Sequence, residues 1–317
     1  MTWFLHHLPV DTALANVSII TSQPFGLLCF LGVALGAVAL SDAGAATVAP
    51  HGTSFVLVRD AGNGFITSLH RAGDPDGVEF LRPGSSLGPV TLRVRSAGGP
   101  WREVHQRTND VDVRSSLVPS GEALRWDVTV RNAGATELEI GDLAMALPMN
   151  TDYVWDREET FVRRVFRHAF IAGQGSFLYW LPVRGEGPFL VMQPRVGAGL
   201  EFFTAEGMDY AEGREKFTVF VHSRATAEQE KRGMWRQPRT GRTLRPGEEA
   251  AVSFAFRWVD SYKDVRELLY RNDGVDVRVA PGMVVPRDLE AMVSLRTRRK
   301  IDAVTPEFPA ETRVEYV

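Results

Sequence analysis

Residues 124–131 read Leu-Arg-Trp-Asp-Val-Thr-Val-Arg, apolar and polar side chains alternating with period two. That spacing predicts a strand with one buried and one wetter face, the mark of an antiparallel sheet. Val90–Arg95 (VTLRVR) and Val111–Arg114 (VDVR) repeat the pattern. Upstream, Gly62-Asn63-Gly64 separates FVLV at 55–58 from FITSLH at 65–70, which predicts a β-hairpin. Downstream, Asn132-Ala133-Gly134 turns the chain into Leu138-Glu139-Ile140, and further strands are predicted at 165–171, 177–183, 189–192, 200–204, 217–222 and 251–258. No helical stretch of any length precedes residue 225, and nothing resembles a βαβ alternation. The expected fold is mainly β. It is a large antiparallel two-layer β-sandwich over residues 47–259, bigger than an immunoglobulin domain of ~100 residues.

Helical signals come late. Thr226-Ala-Glu-Gln229 has the spacing of a capping box and predicts a short charged helix. Ser261-Tyr-Lys-Asp264 has the same spacing before Val265, Leu268 and Leu269, and Asp273-Gly274 supplies the stop. An extended piece is expected over 275–281 and a third helix over 286–295. Residues 260–317 thus read as a helical linker with a C-terminal extension.

The 317 residues carry a net charge of −3, and the basic residues form no stripe, which argues against a nucleic-acid partner. Gly26–Leu40 is free of charge and strongly polar groups, and Ala43-Gly44-Ala45 follows as an A-x-A site. At ~20 apolar residues for a membrane span, this stretch is short. Residues 1–46 therefore read as a secretory signal peptide, although no Lys or Arg precedes the apolar run. The expectation is a secreted or periplasmic protein with no membrane attachment after cleavage. Its single cysteine, Cys29, lies inside the leader, which leaves the mature chain without thiols.

The stretches GNGFITSL, LRWDVTVRN, LEIGDLAMALPMN and FLYWLPVRGEGPFLVM, in this order, resemble the N-terminal domain of secreted six-hairpin glycosidase-type proteins. RWVDSYKDVRELLY resembles the exit strand and linker helix of that group. The resemblance covers residues 53–258 and implies a galactose-mutarotase-like super-sandwich that leads into an (α/α)6 barrel. It further implies a carbohydrate-directed protein whose acid and base reside mainly in the barrel. At a mean helix of ~11 residues, the chain after Trp258 is too short for twelve helices. The resemblance thus implies either a helical barrel domain encoded downstream as a partner of this chain, or a sandwich kept without its catalytic partner. A binding scaffold for carbohydrate or protein, and a mutarotase-type epimerase, remain the alternatives.

Two stretches carry the candidate site for a polysaccharide or glycoside. Asn150–Arg164 (NTDYVWDREETFVRR) combines carboxylates with aromatics, so Asp152, Tyr153 and Trp155 are candidate substrate contacts. A solvated loop whose acids pair with Arg157, Arg163 and Arg164 explains the same residues. The second stretch is the hairpin FLYWLPVRGEGPFLVM, with Tyr179, Trp180, Arg184 and Glu186 as candidates for a sugar-facing rim. A surface ion pair between Arg184 and Glu186 is its plainer reading. His70, His105, His168 and His222 stand isolated, and His168 is the best placed for acid–base work. No catalytic residue, metal site or cofactor is assigned, since neither H-x-H nor H-E-x-x-H spacing occurs.

Overall fold

The structure is a computed structural model describing residues 54–306, apart from 97, 196, 207–215, 231–237 and 281–290, together with 310 and 313–315. The leader and Cys29 lie outside the described residues. In chain order, β1 (Phe55–Arg59) and β2 (Ile66–Arg71) form the first hairpin, followed by β3 (Val90–Ser96) and the short β4 (Arg102–Val104). Next come β5 (Val111–Ser120), β6 (Ala123–Asn132) and β7 (Leu138–Ala146). A single π-type turn over Glu159–Arg163 precedes β8 (Val165–Phe170), β9 (Phe177–Pro182) and β10 (Phe189–Pro194). β11 (Phe202–Glu206), β12 (Lys216–Ser223) and the helix α1 (Arg224–Gln229) follow. The chain continues through β13 (Arg242–Leu244), β14 (Glu249–Val259), the helix α2 (Tyr262–Arg271), β15 (Asp276–Ala280) and β16 (Met292–Arg296).

Two antiparallel layers result, as the alternating strands require. One has the order β5-β6-β14-β10-β9-β8; the other has the order β11-β12-β7-β3-β4, with β13 also on β7. Leu124, Trp126, Val128 and Val130 of β6 point into the space between the layers, together with Phe254 and Phe256 of β14. β5 reaches well past the predicted VDVR and carries Pro119, which an edge strand tolerates because one side makes no ladder bonds.

β10 reads as an unbroken apolar run because both of its faces are covered. Leu190 and Met192 enter the main core, while Phe189 and Val191 pack on the opposite side against Val265, Leu268 and Leu269 of α2. The Ser261 hydroxyl caps α2, accepting from the Asp264 amide at 3.2 Å and donating to its carboxylate at 2.6 Å. At the other end, Asp273 adopts a left-handed φ of 56° and the Gly274 amide donates to Leu269 O at 2.8 Å.

Two helix expectations need correction. α1 begins at Arg224, so Thr226 lies inside it rather than capping it, and its N–H is taken by Asp142 at 3.0 Å. Residues 292–296, expected to end a third helix, form a strand that pairs with β15 (Asp276↔Arg296). MVSLR alternates in exposure along its length, so a period of two won over a weak helical stripe. The rest of that predicted helix lies outside the described residues.

Candidate functional site

Three segments remote in sequence meet at one rim: the loop 72–82, the loop 147–164 and the turn 183–188. Asn150 is their hub. Its amide donates to Phe80 O at 2.9 Å, its carbonyl accepts from the Val165 amide at 3.0 Å, and its Nδ2 reaches Glu79 O and Arg163 O at 3.1 and 3.3 Å. Arg164 donates to its Oδ1. The turn is fastened to the same loop by Val183 N to Arg164 O (3.0 Å) and Arg184 N to Phe161 O (3.1 Å). Buried backbone groups need such partners, so these bonds fix the loops as one body.

The predicted site residues divide on this frame. Asp152 is no free acid: Arg82 grips it through Nε and Nη2, both at 2.7 Å, with both side chains largely buried. Its partner is thus Arg82, and not one of the three arginines of its own loop. Of the other loop acids, Glu159 does pair with Arg164 at 3.1 Å, and Asp156 caps the Glu159 amide at 2.9 Å. Tyr153 and Trp155 project into solvent, 65% and 90% exposed, and meet edge to face with centroids 5.5 Å apart. Phe161 adds a third exposed ring, with the Arg157 guanidinium 5.9 Å from its centroid.

In the hairpin, Arg184 binds Asp76 at 2.5 Å, so the expected pairing with Glu186 does not form; Glu186 is exposed. Trp180 points the other way, into the core, with none of its surface exposed and no hydrogen-bond partner for its Nε1 among the described residues. It cannot touch a ligand at the rim. Tyr179 lies on the outer face of β9, stacked on His168 at 4.6 Å and capped by Tyr262 at 6.1 Å. Burial pushes its phenol up and the His168 imidazole down. His168 therefore faces an aromatic ring rather than a carboxylate, which does not suit acid–base work.

Beside the turn lies a cleft of about 400 Å³, lined by Arg71, Asp74, Pro75, Gly187, Pro188 and Asp260. Gly187 keeps it tight, since a Cβ there would meet Asp260 O at 2.8 Å. Asp74 accepts from the Val78 amide at 2.8 Å and so shapes its own loop. The Arg71 guanidinium bound to Asp260 holds that carboxyl below the usual carboxylate range. An ionised Asp260 can accept hydroxyl hydrogen bonds, but it is the wrong form for a general acid. Behind the cleft, His70 Nε2 meets Ser68 Oγ at 2.7 Å, while Ser68 donates to Glu79 at 2.5 Å and Glu79 also accepts from the Leu69 and Leu81 amides. Asp74, Asp260 and Asn150 were not marked from the sequence. The only signal was the turn-rich GDPDG at 73–77, which promises a loop without saying what it meets.

A model of a family of unknown function, DUF5695, matches residues 101–314. No curated protein matches the chain. Among solved structures, a polysaccharide lyase superposes with a TM-score of 0.59 at 15% identity, covering 72% of this chain and 35% of the lyase. The chain spans about a third of that lyase's length. A protein described as an aldose 1-epimerase from Escherichia coli K12, also 15% identical, is covered over 98% of its length and 67% of this chain. Its TM-score of 0.35 is too low to bear on fold or function. The lyase likeness is a likeness of fold.

Proposed function

This chain belongs to the DUF5695 family, and we propose that it is a carbohydrate-directed, exported sandwich that grips a polysaccharide at the rim of loops around Asn150. The observation that carries the reading is the exposed Tyr153–Trp155 pair. An indole left 90% in water on a loop held by hydrogen bonds is an unsatisfied apolar surface. The C–H face of a pyranose ring covers such a surface, and the ionised Asp260 in the neighbouring cleft accepts hydroxyls. The lyase-like sandwich is consistent with this substrate class.

The rim binds rather than cleaves. Hydrolysis of a glycoside needs two carboxylates ~5–9.5 Å apart, one of them with a raised pKa. Here Asp152 is clamped by Arg82, and Asp260 is shifted in the opposite direction. The test is affinity electrophoresis and calorimetry of the full chain against a panel of neutral and acidic polysaccharides. Trp155→Ala should weaken binding roughly tenfold, about the ~1.5 kcal/mol of a good aromatic contact, with the melting temperature unchanged. Equal binding by wild type and Trp155→Ala, or no binding to any polysaccharide, would refute the reading.

A further inference from the structure

A second cleft, about 570 Å³ in volume, opens where the β1–β2 turn, the start of β3 and the edge strand β5 meet. It lies within the ~300–1,000 Å³ typical of small-molecule sites. Its chemistry differs from that of the rim cleft. No carboxylate lines it, and its charged or titratable lining groups are Arg107, Arg114 and His105. Its floor is apolar, from Phe65, Pro89 and Val113. Gly88, at a φ of +133°, allows the Phe65 ring to lie against the backbone, since a Cβ would sit 2.5 Å from that ring.

The three groups are not equivalent. His105 is engaged by Glu103 at 2.7 Å, and Arg114 by Asp112 at 2.6 Å. Arg107 is exposed and has no hydrogen bond or ion pair among the described residues. Its loop is nonetheless held in place. Thr108 N donates to Val111 O at 2.8 Å, Thr108 Oγ1 donates to Asp110 at 2.9 Å, and Asp110 O accepts from the Ala133 amide at 2.9 Å. A guanidinium without a partner, on a pinned loop above an apolar floor, is prepared for a planar anion.

We propose that this cleft binds a ring carboxylate, a hexuronate unit of an acidic oligosaccharide. The carboxylate takes the two-pronged face of Arg107, and the C–H face of the ring lies on Phe65, Pro89 and Val113. Asn63 Nδ2 and the Gln106 amide remain for hydroxyls, because Asn63 commits only its Oδ1, to the Phe65 amide at 2.8 Å. A bare phosphate would satisfy the cation but leave the floor wet, and a neutral sugar would offer Arg107 no charged acceptor. The uronate identity rests on the carbohydrate reading above, whereas the cationic site itself does not.

The experiment is calorimetry of the full chain with tetragalacturonate, its methyl ester, a neutral tetragalactan and inorganic phosphate, in wild type, Arg107→Glu and Trp155→Ala. Tetragalacturonate should bind wild type, lose at least tenfold in Arg107→Glu, and weaken between 50 and 200 mM salt. It should be indifferent to Trp155→Ala, and the methyl ester should bind at least tenfold more weakly. Arg107→Glu should melt with wild type, because Arg107 supports no described contact. Equal binding of tetragalacturonate to wild type and Arg107→Glu, no binding, or phosphate bound as tightly as the uronate would overturn the proposal. Neutral glycans bound with a Trp155 effect while tetragalacturonate is not bound would leave the rim reading intact and sink this one.

Discussion

α1 and α2 each cover one outer face of the sandwich, with opposite chemistry. Under α2 lie Leu181, Phe189, Val191 and Val259, and the helix presents Val265, Leu268 and Leu269 to them. Under α1 lies a mesh of charges. Arg95 bridges Glu139 at 2.6 Å and Glu228 at 3.2 Å beneath the Trp101 ring, Arg224 reaches Glu139 at 2.7 Å, and Asp142 takes both the amide and the hydroxyl of Thr226. Six residues are too few for a helix to persist by propensity, so α1 exists because its partners are placed for it. Gly141 leaves the room: a Cβ there would lie 2.5 Å from Trp101 and 2.8 Å from Ala225. Apolar packing tolerates a small shift of a helix, whereas a hydrogen-bonded anchor does not.

The contrast can be broken first on the apolar side. Leu269→Ala should cost about 2–5 kcal/mol by urea unfolding, and a loss below about 1 kcal/mol would show that α2 is not seated by burial. On the polar side, Asp142→Ala leaves the Thr226 amide and hydroxyl without their acceptor, at a cost of about 1–3 kcal/mol. If that variant were as stable as wild type, the mesh would be decoration on an otherwise self-sufficient turn.

The smallest effect in the wild type is a matter of pH, and it concerns the residue that precedes α1. Ser223 donates to Glu201 at 2.6 Å, Thr240 donates to Glu201 at 2.8 Å, and the Thr240 hydroxyl also meets His222 at 2.7 Å. Burial pushes Glu201 up to about 7 from 4.5; burial, reinforced by Arg242, takes His222 down to about 4 from 6.5. Between pH 4.5 and 7 the folded state holds the Glu201 proton more tightly than the unfolded chain does, so this carboxyl makes stability fall as pH rises. Between pH 4 and 6.5 the unfolded chain holds the His222 proton more tightly, so the imidazole makes stability rise. The slopes oppose each other, each at most about 1.4 kcal/mol per pH unit. Relative to wild type, Glu201→Gln should gain stability with rising pH through 4.5–7, and His222→Asn should lose it through 4–6.5. Parallel curves for all three proteins, from denaturant titrations at each pH, would remove the coupling.

The apolar side was legible in the sequence because burial writes itself as periodicity. FLVM announced a strand, and the Ser261–Asp264 spacing announced α2. The polar side was not, because its partners are far apart: Asp142 and Thr226 lie on different elements, as do Arg82 and Asp152. Nor does spacing tell which tryptophan is buried. Trp155 and Trp180 both sit in aromatic stretches, yet Trp180 is in the core and Trp155 in water, and only the parity of β9 against its neighbours decides this. The same limit hid the rim, since Asn150 looks like the first residue of a polar loop rather than the tie between three.

The place of β14 has a consequence for synthesis. It pairs with β6 on one side (Glu249↔Arg131) and with β10 on the other (Phe189↔Val259), so it is the central plank of its sheet. A ribosome that has released only the chain up to β13 presents two separate half-sheets, each with a bare, hydrogen-bond-hungry edge. Such edges invite pairing with neighbouring nascent chains, and the long sequence separation slows closure. The interval before residue 259 emerges is therefore when this protein most needs a chaperone.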